Sequence, residues 1–85
     1  MENFSLKEAR ELYQSIHWER FRNNVLSNLK NNIHEGKEEC VIFVDLNTKE
    51  YKFGAQILDH LKENNFKCRI EKSEVGFYLY IWGWA

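Results

Sequence analysis

The sequence predicts a single α+β domain over residues 1–85, in which an N-terminal helical region is followed by a β-α-β-β order of elements. With 85 residues, the chain has room for one hydrophobic core. Apolar residues recur at helical spacing in two regions, and short β-branched or alternating segments follow each of them. Aromatic residues make up 15% of the chain, and their large buried area offsets its small size.

The N-terminal region carries clear helix signals. Ser5 followed by Glu8 is typical of a capping box, and Gly36 is a natural stop. Between them lie two apolar stripes at helical spacing, the first made of Leu6, Ala9, Leu12, Tyr13 and Ile16, and the second of Phe21, Val25, Leu29 and Ile33.

One unbroken helix from Leu6 to Glu35 would be about 45 Å long. A globule of this size has a radius of gyration of about 12 Å, so such a rod would leave half of its apolar surface unburied. We therefore expect a kink, or a break into two helices, near Ser15–Trp18. A continuous helix stays open if the protein is a dimer.

Three strand-like segments follow. The run Cys40–Val44 is continuously apolar, which is typical of a strand covered on both faces. Asn47 with Glu50 indicates the start of a second helix, and Asn64-Asn65 its end. That helix has one apolar face, made of Phe53, Ile57, Leu58 and Leu61. The strand after it alternates apolar with charged residues, and its apolar members are Phe66, Cys68 and Ile70.

The order of elements predicts the topology of the sheet. A strand–helix–strand unit crosses over with right-handed sense, which makes the first two strands parallel. The turn at residues 72–76 makes the third strand antiparallel to the second. Because the third strand is apolar on both faces, we predict a three-stranded mixed sheet of order 1-3-2, with the second strand at the centre as the alternative. Within the third strand, one face holds Phe77, Leu79 and Ile81 and the other Tyr78, Tyr80 and Trp82.

Composition and charge exclude several classes. The net charge is −1 and neither half of the chain is basic, which disfavours binding to duplex DNA through a cationic surface. We expect an intracellular, cytoplasmic protein without a membrane segment, because no apolar run is long enough to span a bilayer. Cys40 and Cys68 are expected to be buried reduced thiols.

We predict no enzymatic activity, no cofactor and no metal. Imidazoles and carboxylates are neighbours in sequence at His17/Glu19, His34/Glu35 and Asp59/His60. Adjacent helical residues point about 100° apart, so these groups do not converge. The cysteines and histidines also lack the spacing of zinc ligands.

The candidate partner-binding residues fall into two groups. Tyr78, Tyr80 and Trp82 share the predicted outer face with Lys67 and Arg69, and Trp84 follows them. Trp18 with Arg22 forms a second aromatic and cationic cluster, for which membership of the core is the favoured interpretation. The outer face is either covered by the chain's own N-terminal helix or by another molecule, since monomers rarely expose such a patch.

The chain resembles a group of small tailed-phage proteins with no assigned activity. The matching features are Ser5–Leu12 (SLKEAREL), the helix end at Ile33…Gly36, Cys40–Val44, Leu58…Leu61, Phe66 and Tyr80-Ile81-Trp82. It departs from that group where Asn65-Phe66 replaces a Gly-aromatic pair and where Gly83-Trp84-Ala85 extends the last strand. The resemblance implies a virus-encoded accessory protein in a bacterial cytoplasm, and it implies no catalytic or binding residue.

Three functions are therefore open. The first is a protein-binding module that engages and modulates a host protein, favoured because Tyr and Trp are enriched at interface hot spots while the charge is near neutral. The second is a sponge for a nucleotide or single-stranded nucleic acid, built on Lys67, Arg69, Tyr78 and Tyr80. The third is a structural homo-oligomer, of which a homodimer is the simplest form.

Overall fold

The computed structural model describes residues 3–85 as one layer of helices on one face of a sheet. This confirms the α+β class and the order of the elements. They are α1 (Leu6–His34), β1 (Glu39–Asp45), a 3₁₀ helix (Lys49–Phe53), α2 (Gly54–Glu63), β2 (Lys67–Lys72) and β3 (Gly76–Trp82).

The sheet has the predicted strand order, β1-β3-β2. The central strand β3 pairs antiparallel with β1 and with β2, and Ile81 lies opposite Cys40 on one side and Cys68 on the other. β1 and β2 point the same way, as the crossover requires, but they are not neighbours. Both pairings are therefore antiparallel, and the expected mixed sheet contains no parallel pair.

Helix α1 is continuous over 29 residues, so the kink or break expected near Ser15–Trp18 is not present. The side-chain oxygen of Ser5 accepts a hydrogen bond from the Glu8 amide at 3.1 Å, as predicted. At the other end Gly36 has φ +80°, and the Lys37 amide donates to the Asn32 carbonyl at 3.0 Å. No Pro or Gly interrupts residues 6–34, and the expectation of a break rested only on compactness.

The protein is elongated as a result, with principal extents of 53 × 30 × 20 Å. Only the second half of α1 lies on the sheet, where it buries Phe21, Val25 and Leu29. The turns before Trp18 extend beyond the sheet, and there Tyr13 contacts Lys49 of the 3₁₀ helix.

The core lies between the helices and the inner face of the sheet. Ile57 and Leu61 of α2 meet the inner side chains of β3, which confirms the predicted faces of that strand. The buried residues are Phe21, Val25, Leu29, Cys40, Val44, Phe53, Ile57, Leu61, Phe77, Leu79 and Ile81.

The second helical region begins differently from the prediction. The Asn47 amide donates to the Asp45 carboxylate at 2.8 Å, so Asn47 belongs to a turn and does not cap a helix. A 3₁₀ helix then leads into α2 at Gly54. The end at Asn64-Asn65 is as predicted, with Asn65 at φ +67° and the Phe66 amide donating to the Leu61 carbonyl at 3.0 Å.

Strand β1 is covered on one face, not on both as predicted. Cys40 and Val44 are buried, whereas Val41 and Phe43 are exposed on the other side. The reason is that both helices pack on the same face of the sheet, and β1 is an edge strand.

Within the described residues, none of the helices combines the length and the apolar character needed to cross a bilayer.

Candidate interaction surface

The side of the sheet that faces away from the helices is the candidate functional surface, and we call it the outer face. The register of the strands arranges its side chains in three rows across the sheet, each with its β3 residue in the middle. The rows are Val41–Tyr80–Arg69, Phe43–Tyr78–Glu71 and Glu39–Trp82–Lys67.

One half of the outer face is apolar. The rings of Phe43 and Tyr78 are 5.0 Å apart between centroids in a tilted arrangement. The Phe43 ring also lies against Gly76, where an added Cβ would come within 2.9 Å of the ring. Val41, Phe43 and Tyr78 remain 48%, 42% and 38% exposed, respectively, although they lie side by side. This half is therefore a continuous apolar patch whose ring positions are set by cross-strand packing.

The other half carries charge that is matched within the sheet. The guanidinium of Arg69 lies 4.1 Å from the centroid of the Tyr80 ring and 3.3 Å from a carboxylate oxygen of Glu71. Partial desolvation, followed by the nearby Glu71 carboxylate, raises the pKa of Tyr80. A tyrosine is protonated at neutral pH in any case, and the shift extends the range over which the Tyr80 hydroxyl can donate a hydrogen bond to higher pH.

Trp82 lies between the charges at one end of the outer face. It forms a shallow hollow with Glu38, Glu39 and Arg69, and Lys67 is its neighbour on β2. The indole is half-buried, so part of its ring remains available to a partner.

The structure thus brings together five of the predicted binding residues: Lys67, Arg69, Tyr78, Tyr80 and Trp82. It does not bring Trp84 to them. Gly83 has φ +115°, and the Trp84 indole nitrogen donates to the Lys37 carbonyl at 3.0 Å. Trp84 also packs against the core beside Phe66, so it holds the C-terminal segment to Lys37, in the segment between α1 and β1.

The second predicted cluster also lies on the helical side. The Trp18 ring is 5.7 Å from that of Phe53 and 6.1 Å from that of His60, between centroids. Trp18 therefore packs on the core, as the favoured interpretation had it, while Arg22 is half-buried on α1. Neither residue contributes to the outer face.

Val41 and Phe43 are the apolar members of the outer face that sequence reasoning missed. Their run of apolar residues suggested a strand buried on both sides. A usable signal was the predicted topology itself, because the few predicted helices of so short a chain cover only one face of a three-stranded sheet.

The described residues offer little else to chemistry. Within 3–85, no three His, Cys, Asp or Glu side chains converge to hold a metal ion. Burial raises the pKa of both thiols, Cys40 and Cys68, so neither is an activated nucleophile. A groove on the helical side lies between α2 and β2, is lined in part by Leu58, Ile70 and Phe77, and opens beside Lys52 and Lys72.

Comparisons with known proteins add no relative, since no family model, no curated protein and no solved structure matches the chain.

Proposed function

We propose that this chain is a non-enzymatic protein-binding module that uses the outer face as its contact surface. The observation that carries the proposal is the uncovered patch of Val41, Phe43 and Tyr78, continuous with Tyr80 and Trp82. Monomers seldom leave contiguous aromatic surface in water, and Tyr and Trp are frequent interface hot spots.

The two halves of the outer face define what a partner must offer. The apolar half calls for an apolar surface or a bulky side chain that covers Phe43 and Tyr78. The charged half, Arg69 and Glu71 with Lys67 and Glu39, calls for a polar rim of mixed sign, so binding would depend only weakly on salt.

The resemblance to tailed-phage accessory proteins suggests the source of the partner. We propose that it is a protein of the bacterial host whose activity is changed on binding, in the cytoplasm. An aromatic contact surface of this kind suits such a role.

Binding of a nucleotide or single-stranded nucleic acid is the second candidate. Lys67 and Arg69 beside two tyrosines favour it. Against it, Arg69 already occupies one face of the Tyr80 ring, and Glu39 and Glu71 place negative charge in the same rows. A fluorescence titration of the wild-type chain with oligonucleotides and mononucleotides tests this candidate, and saturable, salt-sensitive quenching would favour it over the protein partner.

The protein-binding proposal is tested with the immobilised full chain and bacterial lysate, comparing Phe43→Lys with Leu12→Lys. Both substitutions place a lysine at an exposed apolar position, but Leu12 lies on α1, away from the outer face. We expect one stoichiometric protein to be retained by the wild type and by Leu12→Lys. Phe43→Lys and Trp82→Ala should lose it while keeping their thermal stability within a few degrees.

The purified captured protein should then bind the wild-type chain with an affinity at least tenfold higher than it binds Phe43→Lys. Equal capture by all of the variants, or no stoichiometric capture at micromolar concentration, would contradict the proposal.

A further inference from the structure

The first turns of α1 form a second uncovered apolar surface, distinct from the outer face. We call residues 6–16 the arm. Leu6 and Leu12 are 67% and 53% exposed, and Tyr13 and Ile16 are also exposed. Ala9 completes the stripe, so the arm carries five apolar residues at helical spacing with none of them buried.

The arm stripe lies on nearly the opposite side of α1 from the residues that pack on the sheet. At about 100° per residue, the mean direction of the arm stripe differs by roughly 160° from that of Phe21, Val25 and Leu29. Because the helix is continuous, the stripe points away from the sheet, and among its members Tyr13 contacts Lys49 of the 3₁₀ helix. The protein's own sheet therefore cannot cover it without breaking α1.

We propose that the arm pairs with the arm of a second copy of this chain, as an antiparallel two-fold pair of helices. In that arrangement Leu6 packs against Ile16 of the other copy, and Ala9 against Tyr13. Large residues then lie opposite small ones in the middle layers, and the same layers repeat by symmetry on the other side of the axis.

Parallel pairing fits the same residues less well. It would place Tyr13 against Tyr13 next to an Ala9–Ala9 gap, and it would align the two helix dipoles unfavourably. It would also bring the two globular bodies to the same end of the pair. The antiparallel pair places the bodies at opposite ends.

The contact is of the size expected for a reversible dimer. The exposed arm side chains and the methylene groups that flank them offer about 500 Å² per copy, hence about 1,000 Å² in total, which is at the lower end for specific interfaces. We therefore expect dissociation at micromolar concentrations.

Two features of the arm itself support pairing. Tyr13 is already positioned, because Lys49 of the 3₁₀ helix contacts its hydroxyl and lies 4.9 Å from its ring centroid. The charges of the arm are balanced, with Lys7 and Arg10 against Glu8 and Glu11. Two arms therefore carry no net repulsion, and pairing should respond little to salt.

The first test is sedimentation velocity on the full chain from a few to several hundred micromolar. The wild type should shift from monomer to dimer over that range. The double substitution Leu12→Glu with Ile16→Glu should weaken association at least tenfold, while Phe43→Glu on the outer face should leave it unchanged. Circular dichroism checks that each variant keeps the folded body.

Three outcomes would overturn the proposal. They are a wild type that stays monomeric at the highest concentration, a double variant that still dimerises, and association that is lost with Phe43→Glu. The last would assign self-association to the outer face. Because the substitutions lie on separate surfaces, the first two outcomes leave the protein-binding proposal standing, whereas the third would give the outer face to a second copy of the chain.

Orientation is tested by cross-linking in a Cys68→Ser background, where the remaining native thiol, Cys40, is fully buried. Chains carrying A9C and Y13C are mixed and oxidised. The antiparallel pair predicts that mixed disulfides between the two variants predominate. A predominance of A9C–A9C and Y13C–Y13C products would instead show parallel pairing and refute the arrangement proposed.

Discussion

The two halves of α1 carry similar apolar residues but have different surroundings. Phe21, Val25 and Leu29 are at most 4% exposed beneath the sheet, whereas Leu6 and Leu12 are more than half exposed on the arm. Both stripes repeat at helical spacing, so local sequence pattern does not distinguish them. What differs is the direction of each stripe around one rigid helix, and only one direction meets the sheet.

The same division runs through the sheet. Leu79 and Ile81 of β3 are fully buried on the inner face, while Tyr78 on the outer face is 38% exposed. In both elements the core uses one side, and the other side keeps large apolar groups that the chain itself does not cover. In this protein, then, the residues that stabilise the fold and those available for binding can be separated by the face on which they lie.

The largest expected effect comes from truncating the buried half of α1. Leu29→Ala should lower the free energy of unfolding by about 2–5 kcal/mol, because it leaves a cavity between α1 and the sheet. Leu12→Ala, the same chemical change on the arm, should stay within about 0.5 kcal/mol of the wild type. Urea unfolding followed by circular dichroism, at concentrations where the chain is monomeric, measures both.

Comparable losses for the two variants would mean that the arm packs on the body in solution. That result would remove the contrast between the halves of α1.

The C-terminal tryptophans offer the same contrast within three residues of chain. Trp84→Ala removes a half-buried ring and the hydrogen bond to the Lys37 carbonyl, and should cost about 2 kcal/mol. Trp82→Ala on the outer face should cost less than about 1 kcal/mol and should instead abolish partner capture. Thermal unfolding and the lysate experiment, run on the same two proteins, compare the two roles.

Trp84→Phe is the matched control, since it keeps most of the ring and loses only the donor. A destabilisation by Trp82→Ala as large as that by Trp84→Ala would place Trp82 in the core.

Much of this architecture could be predicted from the sequence. The cap at Ser5, the stop at Asn65 and the two faces of β3 follow from local chemistry, and the apolar residues on both faces of β3 favoured its central position. The break in α1 was wrong because it assumed that the whole helix must be buried. Nothing local opposes a long helix here.

The β3 residues of the outer face could also be predicted from the sequence, because alternation along β3 separates its tyrosines from its core residues. Val41 and Phe43 were not, since a continuous apolar run does not state whether a second layer covers it. The position of Trp84 could not be predicted either, and it was therefore assigned to binding. The hydrogen bond that folds it back joins residues 47 positions apart, and no local signal reports such a contact.

The smallest expected effect distinguishes the covered side of the sheet from the outer face through pH. Burial raises the pKa of Cys40 and Cys68 in the folded protein above the usual thiol value of 9.0. As the pH rises, the unfolded chain therefore loses these protons before the folded chain does. Stability from this source is fully present below the thiol pKa of the unfolded chain and decreases as the pH rises above it.

Chemical unfolding measured in steps between pH 7 and pH 10 should show that decline, and Cys40→Val should reduce it, because Val keeps the apolar volume without a titrating group. Tyr80→Phe is the control on the outer face, since the pKa of Tyr80 is also raised but its side chain meets solvent. We expect Tyr80→Phe to leave the decline nearly unchanged up to pH 9. A decline that follows Tyr80 and not Cys40 would mean that the outer face is more strongly desolvated than the inner one, which is the reverse of the division seen in the structure.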